Sequence, residues 1–169
     1  MKTNSVKKKV ADALFKLLES KSIESIQISD LVKEANVARS SFYHNFLTIN
    51  SVLEYALHEI FTKISSSIEI KSTDIHDYIK KILENTLPYK REFSIIYKRN
   101  LTYILMNELT KETIKSIKKL DVYNNYYQPY YYAGASAFIY LAWIKNNFKD
   151  TPEKISQIYM ECLNGGYLK

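Results

Sequence analysis

The sequence predicts an all-α protein of about nine helices. Only three Gly and three Pro interrupt its 169 residues, so long uninterrupted elements are expected. The apolar residues recur at intervals of three and four, which is the period of a helix, rather than alternating as in a strand. With 46% hydrophobic and 25% charged residues, the composition is that of an ordinary globular chain and argues against disorder.

The first three predicted helices lie close together in the sequence. The first is amphipathic, the second begins at a polar capping side chain, and the third ends at a polar linker. They are predicted at Val6 to Leu18, at Leu31 to Ala35 with Ser29 or Gln27 as cap, and at Arg39 to Phe46. The linker 47–50 then offers Thr48 or Asn50 as the cap of a fourth helix.

The remaining predicted helices are mostly longer and more apolar. The fourth keeps its period from Val52 to Ile68. Five more are predicted at Ile75 to Leu83, Phe93 to Tyr97, Leu101 to Ile117, Tyr130 to Phe148 and Pro152 to Asn164, with 121–129 as a loop. Their expected boundary signals are Ser72 or Thr73 and Thr151 as N-caps, Pro88 as a stop and Gly165 after the last helix.

The second and third helices predict a helix-turn-helix between Ser29 and Phe46. Asn36 occupies the turn, where a left-handed backbone is expected and Asn is better tolerated than most side chains. Small and apolar side chains face inward and hold the two helices together. They are Leu31, Val32, Ala35, Val37, Phe42 and Phe46.

The outward side chains of the third helix are polar, and their chemistry suits a DNA groove. They are Arg39, Ser40, Ser41, Tyr43, His44 and Asn45. An Arg can pair with N7 and O6 of guanine, and Ser and Asn can bond base edges or phosphates. Tyr and the amides of a helix N-terminus suit phosphates. The alternative interpretation is an ordinary helical hairpin with a polar face.

The net charge of +6 also suits a polyanionic partner. Residues 1–11 contain four lysines and no acid, which predicts a basic N-terminal arm. In this arm Lys7, Lys8 and Lys9 are candidates for contacts with the DNA backbone. The alternative is a solvated tail.

The stretch from Ile28 to Phe46, with an amphipathic helix before it and a long helix after it, resembles the DNA-binding domain of the TetR family of transcription regulators. The specific part is Val37 with the Phe42-Tyr43-x-x-Phe46 spacing, and the resemblance covers about residues 6–60. It implies DNA contacts by the outward residues of the third helix. It also implies a homodimer and release of DNA by a small molecule that enters the C-terminal domain.

The sequence departs from the family pattern at three positions. The family usually has Gly at the position of Asn36, Ser or Thr at Ala38, and a phosphate-binding Lys at Ile49. Without that Lys, contact with DNA is expected to depend more on Tyr43, the helix N-termini and the lysines of the N-terminal arm.

Two domains are expected, a helix-turn-helix DNA-binding domain at 1–48 and a helical dimerisation and effector-binding domain at 49–169, linked by the fourth helix. Two reading helices must lie about 34 Å apart to enter successive major grooves, which requires a dimer. Small and apolar residues of the last two helices predict a four-helix bundle with a second copy, although they also suit a monomeric core. The predicted interface residues are Ala133, Ala137, Leu141, Ile144, Ile155, Ile158 and Tyr159.

The fifteen Tyr residues raise the question of a ligand pocket. Tyr combines an apolar ring with a polar tip, which suits a small aromatic or lipophilic effector. The predicted lining residues are Tyr97, Tyr103, Met106, Tyr127, Tyr131 and Trp143. The alternative is that these rings fill a core and a dimer seam.

Other classes of protein receive little support. A single cysteine, Cys162, and an N-terminus without an apolar signal segment predict a cytoplasmic protein, and the most apolar run, 133–144, is too short to span a membrane. The three histidines are far apart, and the sequence contains no phosphate loop, nucleophile elbow or metal-ligand pattern, so neither an enzyme nor a cofactor or metal is predicted.

The sequence therefore predicts a transcription regulator, a repressor that binds a double-stranded, pseudo-palindromic DNA operator as a homodimer and is released by a small-molecule effector. The alternative is a TetR-like coregulator that binds a protein partner and has weak or no operator binding. Ala38 and Ile49 leave room for that alternative, because both depart from the family pattern and Ile49 replaces its phosphate-binding Lys.

Overall fold

The computed structural model describes residues 2–66, 68, 75–121 and 123–163, which form nine α-helices and no β-strand. This confirms the all-α prediction and the predicted number of helices. Single turns of 3-10 helix lie at Ile23–Ser25 and Leu87–Tyr89. The helices are α1 (Lys2–Leu18), α2 (Ile28–Glu34), α3 (Arg39–Asn45), α4 (Ile49–Ser66), α5 (Ile75–Thr86), α6 (Lys90–Lys98), α7 (Thr102–Leu120), α8 (Gln128–Lys145) and α9 (Pro152–Leu163).

The first three helices pack together because each contributes apolar side chains to one core. Leu14 of α1, Leu31 of α2 and Phe42 of α3 are completely buried. The same hydrophobic cluster continues through Leu57 of α4 to Trp143 of α8. The N-terminal helices therefore rest on the C-terminal ones through a continuous apolar interior, with α1 packed against α4 and α6.

Two of the predicted N-caps are present. The hydroxyl of Thr48 accepts a hydrogen bond from the backbone N–H of Ser51 at 3.1 Å, and the Ser51 hydroxyl accepts one from the N–H of Thr48 at 3.2 Å. Thr151 likewise accepts from the N–H of Lys154 at 3.2 Å. Gln27 occupies the cap position of α2 without a side-chain cap bond. The predicted signals at Ser72, Thr73 and Gly165 lie outside the described residues.

Replacing Thr48 by Ala removes one of the two bonds of the reciprocal cap at the start of α4, the bond that the Thr48 hydroxyl accepts from the N–H of Ser51. The free energy of unfolding is expected to fall by about 1 kcal/mol, because the N–H of Ser51 then has only water as a partner. Urea denaturation of the two proteins measures this loss. Thr62→Ala, at an exposed position within α4, is the control and should cost less, because Ala is the better helix former. Equal losses in the two variants would contradict a capping role.

Helix α8 ends three residues earlier than predicted. It stops at Lys145, and Asn147 and Phe148 adopt left-handed backbone with φ of 54° and 56°. The N–H of Phe148 donates to the carbonyl of Trp143 at 3.0 Å, and the two rings meet edge to face with centroids 4.9 Å apart. Burial of the Phe148 ring therefore turns the chain back, which the helical period of the sequence did not reveal.

The C-terminal end of α1 is held by α6 and the residue after it. Arg99 donates from Nε to the carbonyl of Leu18 and from Nη2 to that of Glu19, both at 2.6 Å. Arg91 forms an ion pair with the Glu19 carboxylate at 2.7 Å. We name this set of contacts the Arg99 clamp. It satisfies carbonyls that a helix end leaves without an intrahelical partner.

Within the described ranges, no helix combines the length and the apolar character that crossing a membrane requires.

Candidate nucleic-acid interface and internal cavity

The turn between α2 and α3 has the geometry of a helix-turn-helix. Asn36 is left-handed, with a φ of 50°, as its residue type predicted. The N–H of Val37 donates to the carbonyl of Val32 at 3.0 Å, which closes the end of α2. The chain then enters α3 through the extended residue Ala38.

Two aromatic residues hold α3 in place. Phe42 is completely buried, and its ring lies 5.9 Å from that of Phe46. The Phe46 ring in turn meets Tyr55 of α4 edge to face at 5.6 Å. Phe42 lies within α3 and Phe46 is the extended residue at its C-terminal end, and both rings are buried behind the helix, so its opposite face is presented to solvent.

The exposed face carries Arg39, Ser40, Tyr43 and His44. The Arg39 guanidinium lies 5.7 Å from the centre of the Tyr43 ring, and its Nη2 donates to the Tyr43 hydroxyl at 3.3 Å. This stacking aligns a cation and a phenol on adjacent turns, so both can meet the same stretch of a polyanion. We call these two residues the Arg39–Tyr43 pair.

Asn45 and Ser41 do not share this exposure. Asn45 donates from Nδ2 to the backbone carbonyl of Ser41 at 2.7 Å, and its Oδ1 is buried without a hydrogen-bond partner. Ser41 is half-buried. The sequence placed both on the outward face, but the short amide of Asn45 bonds back to the preceding turn. In this conformation it is not available to a base edge.

The predicted N-terminal arm belongs to α1, so its lysines are ordered on a helix rather than in a tail. Lys8 and Lys9 are exposed. Lys7 is half-buried, and its Nζ lies 5.3 Å from the centre of the Tyr55 ring. Burial raises the pKa of Tyr55, so its ring stays neutral and can bind the ammonium. Lys7 is therefore partly committed to packing on α4.

Sequence reasoning missed Leu47. Its side chain is 85% exposed at the junction of α3 and α4, beside the half-buried Ile49. With Ile28, Arg39 and Thr48, these residues line a shallow depression next to the start of α3. The sequence did offer a signal: Leu47 is an apolar residue at the first position of the linker 47–50, directly before the cap residue Thr48.

A cavity of about 330 Å³ lies among the C-terminal helices. Ten Ile and Leu side chains from α4, α5, α7, α8 and α9 form the apolar part of its walls. The polar groups on its walls are hydroxyls and one carboxylate, Glu112. They include Tyr78, Thr86, Thr113, Ser116, Tyr132, Ser136, Tyr140 and Tyr159.

None of the six residues predicted to line a pocket lines this cavity. Tyr103, Tyr127 and Tyr131 are exposed on the outer surface. Trp143 is buried, with its Nε1 donating to the carbonyl of Asp150 at 2.8 Å, while Tyr97 and Met106 pack on the core. The predicted residues lie on α6, α7 and α8 and at Tyr127 just before α8, whereas the tyrosines of the cavity lie on the inward faces of α5, α8 and α9. The available signal was that these tyrosines lie three or four residues from other inward-facing residues of the same helix, as Tyr159 does from Ile155.

The residues predicted for the dimer interface mostly face the interior of the chain itself. Ala133, Ala137, Ile144 and Ile155 are buried within the chain itself. The small size of Ala133 and Ala137 suits the close packing of α8, whose main neighbour is α7. Leu141 and Ile158 are half-buried, and Tyr159 lines the cavity.

The exposed face of α8 carries other residues. Phe138 is 67% exposed, and Tyr127, Tyr131 and Ala142 lie on the same side of the helix. Gly134 is on this face too, and apart from its two chain neighbours and the backbone of its own helix nothing lies within 4 Å of the position of an added Cβ. We call these five residues the outer face of α8.

Comparisons with solved structures identify the fold. The dihydroxyacetone kinase operon activator DhaS matches with a TM-score of 0.61 and 16% identity, over 95% of each chain. NalD from Pseudomonas aeruginosa, the secondary repressor of the MexAB-OprM multidrug efflux pump, matches with a TM-score of 0.61 and 13% identity, over 98% of this chain and 97% of NalD. A tetR-family transcriptional regulator from Streptomyces coelicolor matches with a TM-score of 0.58 and 12% identity, over 95% of this chain and 85% of the other.

No protein-family model matches the chain, and no curated protein sequence is similar to it. The structural likeness nevertheless extends over nearly the whole chain. The chain therefore has the fold of TetR-type transcription regulators, as its N-terminal sequence pattern predicted.

Proposed function

We propose that the chain is a transcription regulator that binds double-stranded DNA as a homodimer through α3. The exposed Arg39–Tyr43 pair carries this proposal, since it is presented on a helix fixed from behind by Phe42 and Phe46. A rigid helix with Arg near its N-terminus is what direct reading of a major groove requires. Ser40 and His44 add donors on the same face.

The lysines of α1 supply a second contribution. Lys8 and Lys9 are exposed near the N-terminus of the chain, and they add charge without sequence preference. This charge compensates for the phosphate-binding Lys of the family pattern, which Ile49 replaces. Ile49 is half-buried and packs on the core. Recognition of bases is thus assigned to α3 and general affinity for the backbone to α1.

The outer face of α8 is the surface we propose for the second copy. It combines the 67% exposed Phe138 with the open space beside Gly134, so a protruding ring has a recess opposite it in a symmetric pair. A two-fold dimer presents two α3 helices to two half-sites, which makes the operator pseudo-palindromic. No membrane partner is part of the proposal, and the regulator acts in the cytoplasm.

We assign a repressor role with release by a small-molecule effector. A dimer bound to an operator blocks access to that DNA. The cavity among α4, α5, α7, α8 and α9 offers a site for the effector, and α4, which lines it, also packs against α1, so occupation of the cavity moves the DNA-binding helices. NalD is itself a repressor, whereas DhaS is an activator, so the direction of regulation is to be read from transcription of the adjacent genes with and without the chain.

Binding to the chain's own upstream DNA tests the DNA-binding proposal. Fluorescence anisotropy should give a higher affinity for this DNA than for a shuffled duplex of the same length. The logarithm of the affinity should fall linearly with the logarithm of salt concentration, with a slope of about 0.9 per phosphate contacted. Equal and weak binding to both duplexes would exclude an operator-binding regulator.

A protein-interaction coregulator is the second candidate, and the exposure of Leu47 favours it. An apolar side chain that is 85% exposed beside Ile49 gives the edge of α3 a surface suited to another protein. Leu47→Lys distinguishes the two candidates. It should strengthen binding to DNA if the chain is an operator binder, and it should have no effect on DNA if the surface serves a protein.

A further inference from the structure

The hydroxyl groups around the internal cavity are nearly all committed as donors to the protein itself. Nine hydroxyl-bearing side chains line the cavity, and seven of them donate to another protein oxygen. The seven are Ser65, Tyr78, Thr86, Thr113, Ser136, Tyr140 and Tyr159. In these bonds each proton already has a protein acceptor and each oxygen keeps a lone pair, so the seven groups are placed to accept hydrogen bonds from a ligand rather than to donate them. The other two lining hydroxyls are those of Ser116 and Tyr132.

The wall between α5 and α8 shows this directly. Tyr140 donates to the Thr86 hydroxyl at 3.0 Å, and Thr86 donates to the carbonyl of Ile82 at 2.9 Å. Both protons are therefore used in a chain that ends on a backbone oxygen. Thr86 and Tyr140 are buried, so water does not reorient them at the surface. This wall presents acceptors only.

The wall between α8 and α9 has the same polarity. The Ser136 hydroxyl donates to the carbonyl of Tyr132, which leaves its lone pairs for the Tyr159 hydroxyl that contacts it. Tyr159 must then be the donor of the pair. Burial raises the pKa of Tyr159 and of Tyr140, so both phenols keep their protons at neutral pH and these chains persist.

The charge of the lining, like its hydrogen-bond acceptors, disfavours an anion. Glu112 is its one carboxylate, and the lining residues that the structure describes include no Lys, Arg or His. The counter-charge of Glu112 lies outside the cavity lining, at Lys115 Nζ, 3.6 Å away, and His58 Nδ1 lies 3.8 Å from the same carboxylate. An anion inside would meet mainly oxygen lone pairs and a carboxylate, with the hydroxyls of Ser116 and Tyr132 as the uncommitted side-chain donors of the described lining. Burial of an anion with so few partners is costly.

We propose that the cavity selects a lipophilic molecule that donates hydrogen bonds, best of all a protonated amine, and that it rejects carboxylates. The apolar walls take the hydrocarbon part, the hydroxyl oxygens accept from the polar head, and Glu112 and the Tyr rings favour a positive charge. This deepens the proposed function, because it names the class of effector for the same site.

Four ten- or eleven-carbon probes with different heads test the proposal, namely decylamine, decanol, undecan-2-one and decanoate. Thermal unfolding of the full chain without DNA, below the micellar concentration of each probe, measures binding through the rise in Tm. Decylamine and decanol should raise the Tm. The ketone should bind more weakly than decanol, and decanoate at least tenfold more weakly than decylamine. A larger shift with decanoate, or no shift with any probe, would overturn the proposal.

Two variants separate charge from hydrogen bonding. Glu112→Gln should weaken decylamine about tenfold and leave decanol unchanged, while Glu84→Gln, at an exposed position of α5 outside the cavity, should change neither. Thr86→Val keeps the shape but leaves the Tyr140 hydroxyl without its acceptor, so this proton becomes available to a ligand and the ketone should bind better than decanol. If Thr86→Val does not fold, Tyr159→Phe replaces it and should weaken decanol by removing one acceptor. Unchanged preferences in the variants would overturn the assignment.

Because these measurements contain no DNA, their failure is distinguishable from a failure of operator binding. A chain that binds its operator but none of the probes disproves the ligand class alone. If the chain binds decylamine but no DNA, the ligand class of the cavity stands and the proposed function as a DNA-binding regulator is disproved.

Discussion

Replacing Arg39 by Ala is expected to weaken binding to the operator by about 1–3 kcal/mol and to remove preference at one base position in each half-site. Arg39 is exposed and its guanidinium is aligned by stacking on Tyr43, so little side-chain freedom is lost when it meets a guanine. Fluorescence anisotropy against the operator and against single-base variants measures both effects.

Two control variants give this prediction its specificity. Lys149→Ala removes an equal charge from an exposed position after α8 and should leave affinity nearly unchanged. Asn45→Ala should cost far less than Arg39→Ala, since the Asn45 amide bonds to the carbonyl of Ser41. A uniform loss for all DNA sequences in Arg39→Ala would assign the residue to phosphate contact instead of base reading.

Replacing Phe138 by Glu is expected to convert a dimer into a monomer and to lower operator affinity by about two to four orders of magnitude. The loss arises because the second half-site is then no longer bound at the high effective concentration that linkage provides. Phe138 is 67% exposed on the outer face of α8, so the carboxylate should not disturb folding of the protomer. Sedimentation velocity measures the mass, and anisotropy measures the affinity.

Tyr103→Glu is the matched control, because Tyr103 is an exposed aromatic residue on α7. It should remain dimeric with unchanged affinity. A monomeric wild-type chain, or a Phe138→Glu variant that stays dimeric with full affinity, would show that the outer face of α8 is not the dimer surface.

The sequence predicted helices well where packing follows local periodicity. The apolar spacing of α1 and α4 and the caps at Thr48 and Thr151 are local signals, and the structure confirms them. The end of α8 was missed because it depends on a ring contact between Trp143 and Phe148 and on left-handed residues other than Gly. Such a turn has a weak signature in a single sequence.

The candidate sites show a similar division. The outward position of Arg39 and Tyr43 follows from the spacing of Phe42 and Phe46, so it was predictable. The inward amide of Asn45 depends on its rotamer, and the sequence does not fix it. For α8, which is apolar nearly all round, composition could not decide which residues face the chain's own core and which face a partner, so buried Ala133 and Ala137 were placed at a dimer surface.

The Arg99 clamp has a consequence for how the molecule assembles. Arg99 Nε and the carbonyl of Leu18 are 81 residues apart in the chain, yet the last turn of α1 depends on their contact. A contact across so long a loop forms late, because closure entropy is lost before the contact repays it. The last turn of α1 therefore gains its final capping only from a segment that follows it by most of a domain, so the N-terminal helices are tied to α6 by backbone capping as well as by apolar packing.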